Sequence, residues 1–333
     1  MSILELCRAP DPGTRPLALA IGNFDGVHLG HQTILAACLN AANAQGLMPA
    51  VMTFEPMPRE LFARLKNDAS HAPPRLMSVS EKLAAFSNAG MQRACIPNFN
   101  AAFAAQSPQD FIASVVRMKV RWLMVGEDFR FGSRRAGDVA MLKDAGLVHG
   151  FTVETMPDIV SAGQRVSSTA IRNALCEGAL PAATTMLGGP YKIVGRVTHG
   201  KKLGRTLGFP TANISLGPTA RRRNPAVKGV FAVNCRLVTR GLEGVASKVG
   251  LVLTGVANLG TNPVVSSENR HHLEVFLFDY SGDLYGKRLE IAFIEKVRDE
   301  QKFSSLDVLV TQMHDDVQKA KNILRMNDDG SKG

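Results

Sequence analysis

The passage from Leu17 to Gln45 constrains this chain most: a short apolar run, Leu17–Ile21, gives way through Gly22 to a segment with helical periodicity. Consecutive apolar residues halted by a glycine predict a central parallel strand, buried on both faces. Ile34, Leu35, Cys38 and Leu39 then recur at helical spacing and Gly46 supplies the stop, so a helix is predicted from about Leu29 to Gln45. The turn between them reads GNFDGVHLGH, from Gly22 to His31. It puts His28 and His31 on one face of the first helical turn, where free backbone N–H groups and the positive end of the helix dipole favour an anion. Gly22, Gly26 and Gly30 let the backbone come close to that anion. Two imidazoles would add donors for phosphate oxygens. Such a site transfers a nucleotidyl group by orientation and charge stabilisation, with no covalent nucleophile. On spacing alone, a capping or packing role for both histidines stays open.

The rest of the first half alternates in the same way. Apolar strands are predicted at Ala50–Phe54, Ala94–Pro97, Trp122–Val125 and Thr152–Thr155. Between them, Ser107, Pro108 and Asp110 mark one helix start, and Ser80 precedes a helix over Glu81–Ala89 that Gly90 ends. This order predicts a doubly wound α/β domain whose ligands lie outside the carboxyl ends of the strands. Near Leu187–Pro190 the character changes to strands with little helix: Tyr191–Val197, Gly229–Leu237, Leu251–Ala257, His272–Asp279 and Leu289–Val297. Phe231, Val233, Cys235 and Leu237 alternate with period two, as in a sheet with one buried face. A compact antiparallel β-barrel is predicted. A long helix closes it from about Ser305 to Met326, with Leu306, Leu309, Val310, Met313 and Val317 on one face. The domains run 1–186 and 187–326, followed by a tail, 327–333, expected to be disordered.

At 333 residues the chain has room for two domains of about 150 residues each. No apolar run approaches the ~18 residues that span a bilayer, and the N-terminus lacks a basic segment followed by an apolar one, so a cytoplasmic protein is expected. The five cysteines are scattered and form no C-x-x-C, which disfavours zinc and disulfide frameworks. A net charge of +10 suits a protein that handles polyanionic small molecules and would equally suit a nucleic-acid binder. The one dense basic run, Arg221–Arg223, has no interleaved aromatic residues and reads as a solvated loop, so nucleic acid is disfavoured.

Several further segments carry polar chemistry. Ser167-Ser-Thr-Ala-Ile-Arg172 opens a helix and presents hydroxyls and N–H groups at a second anion-binding terminus, although a serine pair there is commonly just a cap. Gly126-Glu-Asp-Phe-Arg-Phe-Gly132 follows a strand, with Asp128 and Arg130 its polar candidates and Phe129 or Phe131 able to stack. Gly195–Lys202 approaches a P-loop, but Lys202 stands where Ser or Thr must ligate magnesium and a strand adjoins it, which excludes that reading. In Gly204-Arg-Thr-Leu-Gly-Phe-Pro-Thr-Ala-Asn213, the last four residues read locally as a turn. Thr211 and Asn213 offer two hard oxygens suited to a magnesium ion that keeps phosphate and water ligands. Glu274 shares a strand face with Phe276 and Phe278, so it lines a site as a proton acceptor or pairs across strands with a cation.

These motifs resemble one family over about residues 17–320. GNFDGVHLGH is similar to the HxGH signature of nucleotidyltransferases in the form carried by bacterial FAD synthetases. The later segments resemble the bifunctional riboflavin kinase/FMN adenylyltransferase family. The resemblance implies a nucleotidyltransferase-like (Rossmann-like) first domain that adenylylates FMN to FAD, and a barrel that phosphorylates riboflavin to FMN, both using ATP and Mg2+. It makes His28 and His31 catalytic and gives ATP contacts to Gly22, Asn23, Phe24 and Gly30. It places the pyrophosphate on Ser168, Thr169 and Arg172, and in the barrel it gives ATP or phosphate contacts to Gly200, Lys201 and Gly204. Asp128, Arg130 and Arg298 become flavin-binding, Thr211 and Asn213 metal-binding, and Glu274 the base that deprotonates the ribityl 5′-hydroxyl. Two positions depart from the family pattern: Met57 stands where many relatives have histidine, and Asn262 where arginine is usual. Two other readings remain: one active half only, or a flavin-binding carrier or regulator without catalysis.

Overall fold

The computed structural model describes residues 4–11, 13–68, 72–200, 204, 207–217, 224–240, 246–262 and 270–329. By packing, the chain divides into two compact units, Met1–Pro73 with Ser78–Ser167 and Pro74–Met77 with Ser168–Gly333. The division falls before the 186/187 boundary expected from the sequence, because the helical pair after Ser167 packs with the strands that follow it.

In the first unit, β1 (Glu5–Cys7), β2 (Leu17–Ile21), β3 (Met48–Met52), β4 (Arg93–Cys95), β5 (Val120–Gly126) and β6 (Thr152–Met156) form one sheet in the order β1-β4-β3-β2-β5-β6. Every pairing is parallel. All of β2 is buried, as its unbroken apolar run requires. From β2 the chain steps to β3 and β4 on one side, while β5 and β6 lie on the other. The order therefore reverses between β2 and β5, and a crevice opens above their carboxyl ends.

The connecting helices are α1 (Leu29–Gln45), α2 (Pro58–Leu65), α3 (Val79–Asn88), α4 (Ala101–Ala104), α5 (Pro108–Arg117) and α6 (Val139–His149). α1 ends at Gly46 in the left-handed region, φ 65°. Ser107 and Asp110 form the expected capping box of α5. α3 starts two residues earlier than expected: Ser78, not Ser80, accepts from the Glu81 N–H, and Glu81 returns a carboxylate oxygen to the Ser78 N–H at 2.6 Å. Leu19, Ile21, Met52, Leu123 and Val125 pack with Phe111 and Val115 of α5 in one core. A short hairpin, β7 (Val160–Ser161) with β8 (Gln164–Arg165), ends the unit.

The second unit opens with α7 (Ser168–Cys176) and α8 (Leu180–Leu187). It continues with β9 (Lys192–Thr198), β10 (Thr211–Ser215), β11 (Gly229–Arg240), β12 (Ala246–Asn262), β13 (Arg270–Leu277), β14 (Arg288–Arg298) and α9 (Leu306–Asp329). The strands close a barrel in the order β10-β13-β12-β11-β14-β9, antiparallel throughout. The P-T-A-N segment is therefore strand, not turn: Thr211 to Ile214 pair with Phe276 to Leu273. Phe231, Val233 and Cys235 are fully buried inside the barrel, as their alternation predicts. Ala232 is buried on the opposite face, where it packs with Phe278, Ala320 and Leu324. α9 thus lies on the outer wall of the barrel. Leu306, expected on its apolar face, is 59% exposed because the first turn of α9 runs beyond the wall. The helix continues through Asn327–Asp329, which corrects the start of the expected tail. Arg221–Arg223, Lys201 and residues 330–333 lie outside the described residues.

Candidate active sites

In the first unit the turn from Gly22 to His28 links β2 to α1 at the reversal of strand order. His28 is the N-cap residue of α1, and His31 lies in its first turn. The two rings stack with centroids 3.7 Å apart and planes inclined by 21°. Phe24, fully buried, packs against His31 and Phe86. Its ring therefore belongs to the core. Burial, then the neighbouring His28 and the ammonium of Lys82, hold the His31 pKa well below the usual histidine range. A Cβ on Gly30 would meet the His28 ring at 3.4 Å, so the backbone of the first helical turn runs close beside the imidazole. With His31 held neutral, its imidazole stacked beside His28 at a helix N-terminus can donate to a phosphate oxygen without adding a cation next to its neighbour.

Across the strand-order reversal, β5 ends in the loop holding Asp128 and Arg130, both exposed. Arg130 is ion-paired to Asp138, the N-cap of α6, at 2.9 Å. Phe129 and Phe131 pack on each other and on Phe111, so these rings belong to the core rather than to a stacking platform.

The second unit holds a cavity of about 430 Å³ between the outer wall of the barrel and α9. Strand register builds its floor. Asn213 on β10 faces Glu274 on β13, Glu274 faces Asn258 on β12, Asn258 faces Val230 on β11, and Val230 faces Arg298 on β14. All of these residues line the cavity. Thr211 Oγ1 donates to Glu274 Oε2 at 3.3 Å. The register neighbours of Glu274 are amides, not cations, which removes the salt-bridge alternative. Val230, Val256, Phe276, Met313 and Val317 give the same cavity an apolar flank. One wall thus suits a flat aromatic ring system, and the floor suits a polyol. Gly200 and Gly204 border the cavity; a Cβ on Gly200 would overlap the Asn213 amide and one on Gly204 the Phe209 carbonyl, so only glycine fits at these two close approaches. Arg298 is held by Asp316 of α9 through two donors at 2.7–3.0 Å. A second cavity, of about 560 Å³, lies on the opposite face of β13, lined by Val275, Leu277, Tyr280 and Tyr285, and it shares Thr211 with the first.

Comparison with known proteins matches the two halves of the chain to two families in turn. The sequence model of the FAD synthetase family matches residues 11–170, and that of the riboflavin kinase family matches residues 187–324. A bifunctional riboflavin kinase/FMN adenylyltransferase of Haemophilus influenzae is 44% identical over 91% of this chain and 93% of its own. The chain belongs to the bifunctional riboflavin kinase/FMN adenylyltransferase family. The relative from Escherichia coli K12 is 42% identical and that from Pseudomonas fluorescens 40%, each over 93% of this chain and 93% and 94% of their own. A solved structure titled a macrolide-efflux protein, from Streptococcus pneumoniae, superposes with a TM-score of 0.75 at 27% identity, covering 96% of this chain and 99% of that one. It shares the fold. Among the described residues, no helix is long and apolar enough to cross a membrane.

As a member of this family the chain is an enzyme of flavin-cofactor synthesis, and its site residues fall as follows. Gly22, Asn23, Phe24, His28, Gly30 and His31 come together at the start of α1. Ser168, Thr169 and Arg172 lie on α7, in the second unit, where Arg172 Nε donates to the Pro74 carbonyl at 2.7 Å. Met57, one of the departures from the family pattern, is buried and caps α2, its N–H donating to Glu60 at 2.9 Å. Asn262, the other, is the last residue of β12. Sequence reasoning passed over Lys82, Asn258, His272 and Asp316. The first had a signal: Lys82 lies four residues before buried Phe86 on α3, on its inward face. His272 precedes Glu274 by two on the same strand face, and its Nδ1, like Asn258 Oδ1, is buried with no hydrogen-bond partner among the described residues.

Proposed function

We propose that residues 187–326 phosphorylate riboflavin and residues 1–186 adenylylate the FMN produced. In the barrel, the isoalloxazine lies on the apolar flank and the ribityl chain on the polar row. Glu274 takes the proton of the 5′-hydroxyl, whose oxygen attacks the γ-phosphorus of ATP and releases ADP. ATP approaches from the second cavity, because a transfer between two substrates needs two pockets that meet at the reacting atoms, and Thr211 borders both. The observation that carries this reading is the in-register row Asn213–Glu274–Asn258 with Thr211 donating to Glu274.

The hydroxyl of Thr211 and the amide oxygen of Asn213 are hard-oxygen donors of the kind Mg2+ prefers. These residues would hold it while phosphate and water complete its shell, and it would neutralise charge on the transferring phosphoryl group. In residues 1–186, the FMN phosphate attacks the α-phosphorus of a second ATP. His28 and His31 stabilise the charge that develops there, the N–H groups from Gly22 to Gly30 hold phosphate, and Ser168, Thr169 and Arg172 retain the leaving pyrophosphate. Asp128 and Arg130 contact the flavin of FMN, and Arg298, fixed by Asp316, contacts riboflavin. The partners are these small molecules, and the cytoplasm, where ATP is supplied, is the place of action.

A chromatographic time course after mixing protein, riboflavin, ATP and Mg2+ tests the scheme. FMN should appear first and FAD after it. FMN without FAD, even when FMN is supplied, would remove the assignment of the histidine site.

A further inference from the structure

Among the buried charges of the first unit that the steps above do not use, Lys82 is the one that reaches the histidine turn. Lys82 on α3 is 1% exposed. Burying an ammonium is costly and persists where the charge is held and used. Its Nζ donates to the Asn23 carbonyl at 2.9 Å, and the same carbonyl accepts from Thr53 Oγ1, beyond the end of β3, at 3.0 Å. The Gly22 N–H donates to the Met52 carbonyl at 3.1 Å, so the start of the turn is pinned from two elements. The pinned stretch contains Phe24 at φ 47° and Val27 at φ 39°, in the left-handed region that bulky residues occupy only when their surroundings enforce it. Beside it stand the stacked imidazoles of His28 and His31, with the His31 Nδ1 buried and lacking a hydrogen-bond partner among the described residues. Among the described residues, Lys82 from α3 acts on His31 electrostatically, and Asp25 is buried within the same turn.

We propose that Lys82 is a positioning residue for adenylyl transfer: its ammonium clamps the Asn23 carbonyl, fixes the turn that presents its N–H groups to phosphate, and stands behind the imidazole pair as a fixed positive charge. The proposal rests on the reading of the first unit as the adenylyltransferase. Coulomb repulsion from Lys82 disfavours a proton on His31, in the same direction as burial and His28, so the ring meets the nucleotide uncharged.

The test uses the full chain, in which FMN formation by the barrel reports that the protein is folded. Lys82→Met is expected to lower FAD formation from FMN and ATP by about a hundredfold, in kcat more than in KM for ATP, and to leave FMN formation from riboflavin unchanged. In the same variant the His31 midpoint, followed by NMR, moves up. Thr53→Val removes the other bond to the Asn23 carbonyl without removing charge; FAD formation falls less and the His31 midpoint stays. If Lys82→Met makes FAD at the wild-type rate, or loses FAD formation with the His31 midpoint unmoved, the proposal is overturned. If both activities fall together, Lys82→Arg decides: FAD formation with a depressed His31 supports the proposal, and loss of FAD formation alone overturns it. A wild-type chain that makes FMN but never FAD overturns the site reading and this proposal with it.

Discussion

Glu274 owes its role to what stands beside it. With amides on both neighbouring strands and a hydroxyl donating to it, its carboxylate keeps lone pairs available for a substrate proton. Glu274→Gln preserves shape and removes the base, so FMN formation should fall by about 10²- to 10⁴-fold while FAD formation from supplied FMN persists. The reverse pattern is expected of His28→Ala with His31→Ala: FAD formation falls by at least about 10²-fold and FMN formation is retained. Both outcomes are read from the same time course. Cys7 offers a separate check on local electrostatics. It faces Cys95 across the parallel pair β1–β4, and the hydrogen bond from Cys95, opposed by burial and aided by the Arg93 guanidinium, lowers its pKa to about 6. A lowered thiol pKa means thiolate above that pH and thiol below it, so alkylation of Cys7 should rise through a midpoint near pH 6. Cys95→Ala should move that midpoint upward.

At the scale of elements, the start of α3 discriminates between two serines. Ser78→Ala should cost about 1 kcal/mol in denaturant unfolding, and Ser80→Ala only a few tenths. The sequence pointed to Ser80 because it adjoins the acidic residue. The capping box instead needs the acid three positions after the cap, a spacing that Ser78 and Glu81 satisfy. Elements with a strong period were legible: β2, α1 and the alternation in β11 each follow from residues whose spacing permits one structure only. β10 was not legible, because Thr211, Ala212 and Asn213 carry turn propensity and become strand through pairing with β13, a contact distant in sequence. β1 escaped notice for a related reason: a three-residue edge strand has too few positions to show a period. The candidate sites divide in the same way. Glu274 and the histidines stood out by type and spacing, whereas Asn258 and Asp316 gain meaning only when β12 and α9 are brought beside the cavity.

For the whole molecule, packing and chemistry divide the chain at different points. α8 buries Leu180, Ala183 and Met186 and packs on β14 and α7. A fragment beginning at residue 187 loses that cover. It should be less stable than one beginning at 168 by about 3 kcal/mol or more, taking about 1.5 kcal/mol or more for the lost burial of each of Leu180 and Met186, as chemical denaturation of the two fragments would show. Yet Ser168, Thr169 and Arg172, assigned above to adenylyl transfer, travel with those helices. Severing the gene after Ser167 would give a sturdy kinase and an adenylyltransferase shorn of its grip on pyrophosphate. Severing it after residue 186 would return the grip and leave the kinase frail. On the proposed assignment, the helices that steady one enzyme carry the anion grip of the other, so no single break point yields two whole enzymes.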